Sequence, residues 1–316
     1  VTEPAFTVVL AAYNEEDYVA DAIRSVLAQT REDFELIVVD DGSADATSEV
    51  ARGFESDPRM RLLRHENRGL AASLNRGIAA GSAPYVSLID ADDLWLPTYL
   101  EELGAALDQD PDAGFAYTDA WWYDVARRRF WRRTISQYLG APADPPRDPE
   151  QFLRLLIKVN FVFGLTTIRR SALDAVGGFD ESLRACEDYE LWIRLLAHGY
   201  RASHVSGRLA VQRDRRGSMS ADLGSMFRNV RRACEIAAQE LDTSDEVTEL
   251  ALQRVAEMDH NIEALGGQAR STAAWWALRN RLIVLRQAML RRRFFFAGTP
   301  PEVAAAFPGR AQSLFG

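Results

Sequence analysis

Cysteine, histidine and positive charge are all scarce in this chain, and each shortage narrows what it can do. Two cysteines in 316 residues, Cys186 and Cys234, are too few for a disulfide framework and have no CxxC spacing, which points to two buried thiols in a reducing compartment. The four histidines, His65, His198, His204 and His260, stand apart from one another and are expected on the surface or in packing, not as metal ligands. Lysine and arginine number 37 against 46 aspartates and glutamates, a net charge of −9. Such a balance argues against nucleic acid as a partner, because a duplex needs a dominant basic footprint. No stretch approaches the roughly 18–20 apolar residues of a membrane span, and the start has no basic-then-apolar leader, so a cytoplasmic protein is expected. Two phosphate cradles are also missing: neither GxGxxG nor GxxxxGK[ST] occurs, which removes the dinucleotide-oxidoreductase and P-loop classes.

What remains is the composition of an ordinary globular enzyme, 47% hydrophobic and 26% charged. Four short runs rich in β-branched residues, Phe6–Ala12, Phe34–Asp40, Met60–Leu63 and Tyr85–Ile89, alternate with stretches of helical period. Val19, Ile23, Val26 and Leu27 mark one apolar helix face, Asp45–Phe54 is a weaker helix, and Leu70–Ala80 is an alanine-rich one. The alternation predicts βαβ units and an α/β fold with a mostly parallel, Rossmann-like sheet flanked by helices. A helix after Pro97 and a strand-like Gly114–Tyr123 follow, and the arginines 127–129, 132 and 133 are expected on a hairpin or loop. Pro142, Pro145, Pro146 and Pro149 forbid a helix interior or a central strand. Glu187–Ala197 reads as a helix stopped by Gly199. Beyond Ser220 the pattern is helical, giving a catalytic domain over 1–220 and a helical region over 221–316. In that region Trp275, Leu278, Leu282, Leu285 and Met289 form an apolar stripe among arginines, suited to intramolecular packing, a homodimer or a peripheral membrane contact at the inner face.

Polar residues gather just after the predicted strands: Tyr13, Asn14 and Glu15 after the first, Asp40 and Asp41 after the second, Asp90, Asp92 and Asp93 after the fourth. In an open parallel sheet ligands bind outside the carboxyl ends of the strands, so these side chains should meet in one crevice. Along extended backbone Asp90 and Asp92 share a side. Carboxylates so close repel one another, and a hard divalent cation, Mn²⁺ or Mg²⁺, would relieve them while holding substrate phosphates. Asp93 also suits a helix cap, and Asp40 a turn before Gly42-Ser43.

Six segments, Thr7–Glu16, Glu35–Ser43, Asn67–Gly77, Leu88–Asp93, Gly177–Glu181 and Glu187–Trp192, resemble family 2 of the GT-A-fold glycosyltransferases in order and spacing. The likeness spans roughly residues 5–220 and implies a GT-A fold with a C-terminal helical extension. It implies an inverting transfer from a nucleotide-sugar, UDP or dTDP favoured, to a glycan, lipid-linked or small-molecule acceptor, in polysaccharide or glycoconjugate biosynthesis. Carried over position by position, Tyr13 and Glu15 line the base and ribose pocket. Asp41 accepts from a pyrimidine N–H, Asp90 reaches the ribose or the metal shell, Asp92 ligates the metal, and Asp188 is the general base beside Glu187. Arg215 departs from the pattern, standing where many members place a metal-ligating histidine. A guanidinium cannot coordinate Mn²⁺ but can hold a diphosphate directly, as could Arg213 or Arg216. Two rival readings are a sugar-phosphate nucleotidyltransferase, which needs a glycine-rich basic loop that Ala11–Glu16 does not offer, and a non-catalytic nucleotide-sugar or glycan binder, which needs no base.

Overall fold

The computed structural model describes residues 3–215, 222–266, 295, 296 and 298–315. The four expected strands form as β1 (Phe6–Ala12), β2 (Phe34–Asp40), β3 (Met60–Arg64) and β4 (Tyr85–Asp90), all parallel to their neighbours in the order β3-β2-β1-β4. Helices α1 (Val19–Leu27), α2 (Thr47–Arg52) and α3 (Leu70–Ala80) make the crossovers, and α4 (Tyr99–Gln109) follows Pro97. Both faces of the central strands are covered, which is why they read as near-continuous apolar runs. Val8, Leu10, Leu36 and Val38 pack under α1 and α4, while Val9, Ile37 and Val39 face the other way onto α3. The two-residue period of the strand thus divides one run between two cores.

Past β4 the sheet is mixed. The order continues through β8 (Thr166–Arg169), β6 (Ala113–Asp124), β9 (Arg201–Asp214) and β5 (Leu94–Trp95), with β7 (Arg129–Phe130) paired to β6. β8 runs antiparallel to both β4 and β6, a placement that four residues could not announce in sequence. The arginine-rich stretch does fold back as a hairpin, Tyr123 pairing with Phe130. A short α5 (Ile135–Leu139) precedes the proline segment, and Pro149 is the first residue of α6 (Pro149–Lys158) behind an Asp148 cap. A first-turn proline gives up no hydrogen bond.

The expected helix appears as α8 (Glu187–Ala197), after α7 (Arg170–Val176). Helices α9 (Leu223–Gln239) and α10 (Asp245–Gly266) join the core on the α3 side through Ala233, Cys234, Val247 and Ala251. Both cysteines are free and buried. Short helices α11 (Pro301–Ala306) and α12 (Ala311–Phe315) pack Val303, Phe307 and Phe315 against Trp121, Tyr123 and Phe130. The stripe from Trp275 to Met289, and with it the homodimer and membrane expectations, lies outside the described residues. No described helix is long and apolar enough to cross a membrane.

Helix α3 approaches the sheet closely at Gly77, where an added Cβ would lie 2.4 Å from Val9 Cγ1 and 3.2 Å from Val39 Cγ2. Gly77→Val should therefore cost about 1–3 kcal/mol through overpacking, seen as a lower urea midpoint at unchanged m-value.

Candidate active site

The parallel register sets the carboxyl ends side by side: Ala12 pairs with Asp40, and Ala11 with Asp90. The loops leaving β1 and β2 are then stitched together. Asn14, at φ 56°, donates its N–H to Ser43 Oγ (2.9 Å) and accepts from the Ala44 N–H on its Oδ1 (2.9 Å). Glu15 N–H donates to Thr47 Oγ1 at 2.7 Å. Asp40 behaves as the turn residue, fully buried, accepting from Ser43 N–H at 2.8 Å and from the Ser48 hydroxyl. Gly42 permits this turn, since it sits at φ +76° and a Cβ would fall 2.7 Å from Asn67 N.

Asp41 has a different job. It is 4% exposed, and its two oxygens accept the N–H groups of Arg68 (2.8 Å) and Gly69 (3.0 Å). His65, far from isolated, lies 3.5 Å from Asp41 and 3.1 Å from Ser73 Oγ. The carboxylate thus ties the Asn67–Gly69 loop to the end of β2 and leaves its remaining lone pairs to the cleft.

The acidic turn after β4 separates into three roles. Asp90 is exposed toward the cleft, with the Gly164 loop beside it: a Cβ at Gly164 would lie 3.9 Å from Asp90 Oδ2. Asp92 Oδ2 accepts from Arg215 Nε at 2.6 Å, and Arg215 Nη2 donates to Glu15 Oε1. The same guanidinium sits over the Tyr18 ring, 5.2 Å from its centroid. Asp93 turns inward, 3% exposed, and accepts the Arg213 N–H at 3.0 Å. It caps no helix, as α4 begins after Thr98. Arg213 is buried and reaches Asp21 (3.3 Å), which also receives Arg310 of the C-terminal segment (2.6 Å). Arg216 lies outside the described residues.

Asp188 is delivered by α8. Arg194 on that helix pairs with the buried Glu190 and donates to the carbonyls of Val176 (2.6 Å) and Gly178 (2.7 Å), fixing the helix against the Gly177-Gly178 turn. Asn75 of α3 grips the same turn, exchanging two 2.9 Å hydrogen bonds with the Phe179 backbone. Asp188 Oδ1 accepts the Tyr189 N–H at 2.7 Å, at the positive end of the helix. Glu187 is buried behind it.

Tyr13, Glu15, Asp41, Asp90, Asp92 and Arg215 all line one cleft of about 750 Å³. Asp188 and Glu187 are not in its wall. They flank it, near enough that the Asp188 charge raises the Asp90 carboxyl. Although Asp90 opens on the cleft, the protein around it strips away much of its water, and this desolvation raises it most, with Asp92, Asp188 and Glu15 adding to it. Glu187 is pushed up by burial and by Asp188. Glu15 rises to about 7, through burial and the Asp92 charge, against the pull of Arg215. Asn67, Trp122, Arg184 and Gln212 also line the cleft. Asn67 stands inside a family-like segment, and Gln212 lies beyond the last of the six; neither is marked by its local sequence as a cleft residue. Arg184, between two such segments, carries no sequence signal.

A cation would relieve the repulsion among these carboxylates. Among the described residues no three acidic, histidine or cysteine side chains converge on one point, so a metal ion would lean on Asp92 and on substrate oxygens. Arg215, bound to Asp92, supplies positive charge at the same place.

Residues 7–177, more than half of the chain, match the family model of glycosyl transferase family 2. The chain is similar to the succinoglycan biosynthesis protein ExoU of Rhizobium meliloti, 33% identical over 226 residues that cover 65% of this chain and 61% of that protein. It thus spans less than two thirds of that relative's length. Among solved structures it resembles S. aureus TarS 1–349 in complex with UDP-GlcNAc, at a TM-score of 0.62 and 18% identity, covering 98% of this chain and 83% of that one. Mannosyltransferase PcManGT from Pyrobaculum calidifontis, in complex with GDP-Man and Mn²⁺, gives a TM-score of 0.59 at 20% identity, covering 90% and 81%. At these identities the structural likeness is one of fold, and it is the GT-A fold. With its motif-bearing strands matched to the family model, the chain belongs to glycosyl transferase family 2.

Proposed function

We propose that this glycosyltransferase moves a sugar from a nucleoside-diphosphate sugar to an acceptor hydroxyl with inversion, in the assembly of a polysaccharide or glycoconjugate. The observation that carries the reading is the single cleft joining the ends of β1, β2 and β4, with Asp188 beside Asp90 at its flank. Residues 1–220 would be the catalytic unit and 221–316 its helical support. The nucleotide occupies the end walled by Tyr13, Glu15 and Asp41, where Asp41 accepts from the N–H of a uracil or thymine ring. ExoU's role in succinoglycan biosynthesis and the UDP-GlcNAc and GDP-Man bound by the two structural neighbours support a nucleotide-sugar donor.

Asp188 takes the acceptor hydroxyl proton as that oxygen bonds to the anomeric carbon, while the bond from that carbon to the phosphate oxygen breaks on the opposite face. The nucleoside diphosphate departs with the bonding pair, and the anomeric configuration inverts. Arg215 offers the diphosphate a planar, permanently charged donor pair, provided it lets go of Glu15 or Asp92. Asp92, with Asp90 near it, would hold Mn²⁺ or Mg²⁺, which when bound supplies positive charge to the leaving diphosphate. The environment suits Asp188 to proton removal: burial pushes its carboxyl up to about 6, against the helix-end N–H of Tyr189.

Three outcomes follow. Asp188→Asn should lower kcat by about 10²–10⁴-fold while donor affinity stays near that of the parent, measured by nucleoside diphosphate release and by calorimetry. Because the base must be unprotonated, activity should climb as pH rises through about 6 and level off above it, and a flat profile between pH 5 and 7 would remove Asp188 from this role. Asp92→Ala should abolish the stabilisation that UDP with Mn²⁺ gives the parent in a thermal-shift assay, yet leave the ligand-free melting temperature within a few degrees. A broad panel of nucleotide-sugars giving neither binding nor turnover would defeat the whole proposal.

A further inference from the structure

Strand β6 sends its aromatic side chains to opposite faces. Trp121 and Tyr123 join the cluster under α11 and α12, with Arg208 stacked 4.2 Å from the Trp121 ring centroid. Trp122 points the other way and lines the catalytic cleft. Its far side is braced: it stacks on Trp131, centroids 4.9 Å apart and planes 20° from parallel, and Trp131 packs on Phe295 at 4.8 Å. Trp131 N–H also donates to the Trp122 carbonyl at 2.8 Å. None of the three indole N–H groups has a protein partner among the described residues, but those of Trp121 and Trp131 are enclosed whereas Trp122 is only half-buried. Directly across the register is Gln212, which lines the same cleft and whose amide is likewise unengaged among the described residues. Next along that strand come Arg213, braced to Asp93, and Arg215, bound to Asp92.

A rigid indole that opens on a polar cleft, with a free amide beside it, has the chemistry of a sugar subsite. Pyranose rings present a patch of C–H groups to an aromatic surface and hydroxyls to a planar amide at its edge. A tryptophan kept only for packing would be covered on both sides, whereas Trp122 has a two-ring stack behind it and lines the cleft in front. We infer that Trp122 and Gln212 form a pyranose-binding platform in the transfer cleft, a specificity element that rests on the glycosyltransferase reading above. The ring it holds is either the acceptor's sugar or the donor's, and the two sources separate by experiment.

The test uses the full chain and two variants, Trp122→Ala and Trp122→Phe. In one arm, saturation-transfer NMR follows methyl glycosides of glucose, galactose, mannose and N-acetylglucosamine. In the other, calorimetry compares UDP with UDP-glucose, UDP-galactose and UDP-N-acetylglucosamine in the presence of Mn²⁺. Trp122→Ala should weaken the responsive sugar about tenfold, Trp122→Phe should retain most of the affinity, and UDP itself should bind within about twofold of the parent. Loss confined to the glycosides assigns the platform to the acceptor, and loss for a UDP-sugar but not UDP assigns it to the donor's ring. The inference is overturned if the alanine variant binds every pyranose like the parent, if UDP affinity falls in parallel, or if the parent binds UDP but no pyranose. Glycosides that bind the parent and weaken in the variant, with no nucleotide bound by either, would remove the nucleotide reading and keep the platform.

Discussion

Like charges crowded at the ends of parallel strands are the condition that the rest of this molecule has to satisfy. The Asp92 charge raises the proton affinity of both Glu15 and Asp90, Glu15 adds to that of Asp90, and Asp188 adds to Asp90 from the flank. Left uncompensated in a partly dry cleft, such a group would loosen the loops that carry it. Arg215 answers part of the charge by bridging Glu15 and Asp92. Asp40 and Asp41 avoid the conflict by accepting hydrogen bonds from neighbouring turns.

Precision at the site comes from elements packed well away from it. The Glu190–Arg194 pair and Asn75 anchor the Gly177-Gly178 turn and so aim the start of α8. On the opposite wall, Leu94 and Val211 lie in the cluster that includes Val303, Phe307 and Phe315, so the C-terminal helices support the strands next to Asp92 and Arg215. The Arg310–Asp21–Arg213 chain runs from the same segment to the backbone of the acidic turn. Residues beyond the span matched by the family model thus brace the candidate cleft.

Much of the parallel half is legible in the sequence. β1 to β4 and the helices between them announced themselves because burial on both faces gives long apolar runs, and the helix faces repeat at three and four residues. The clustering of Tyr13, Glu15, Asp41, Asp90 and Asp92 followed from one rule about strand ends. The mixed half was harder. Thr166–Arg169 is too short to show a period, and its antiparallel place between β4 and β6 depends on pairing with strands about 50 and 80 residues earlier in the chain. His65 looked solitary because its partners, Asp41 and Ser73, lie on other elements.

By itself the order of residues determined the α/β architecture, the family, and the gathering of polar side chains at the strand ends, since propensity, periodicity and motif spacing are local properties of the chain. Only the tertiary structure decided that Arg215 lies between Glu15 and Asp92, that Asp93 faces inward, and that Trp122 rather than Trp121 opens on the cleft. Those are relations between residues up to 200 positions apart. They arise from strand register, crossover packing and charge balance, which become definite only when distant segments share one volume.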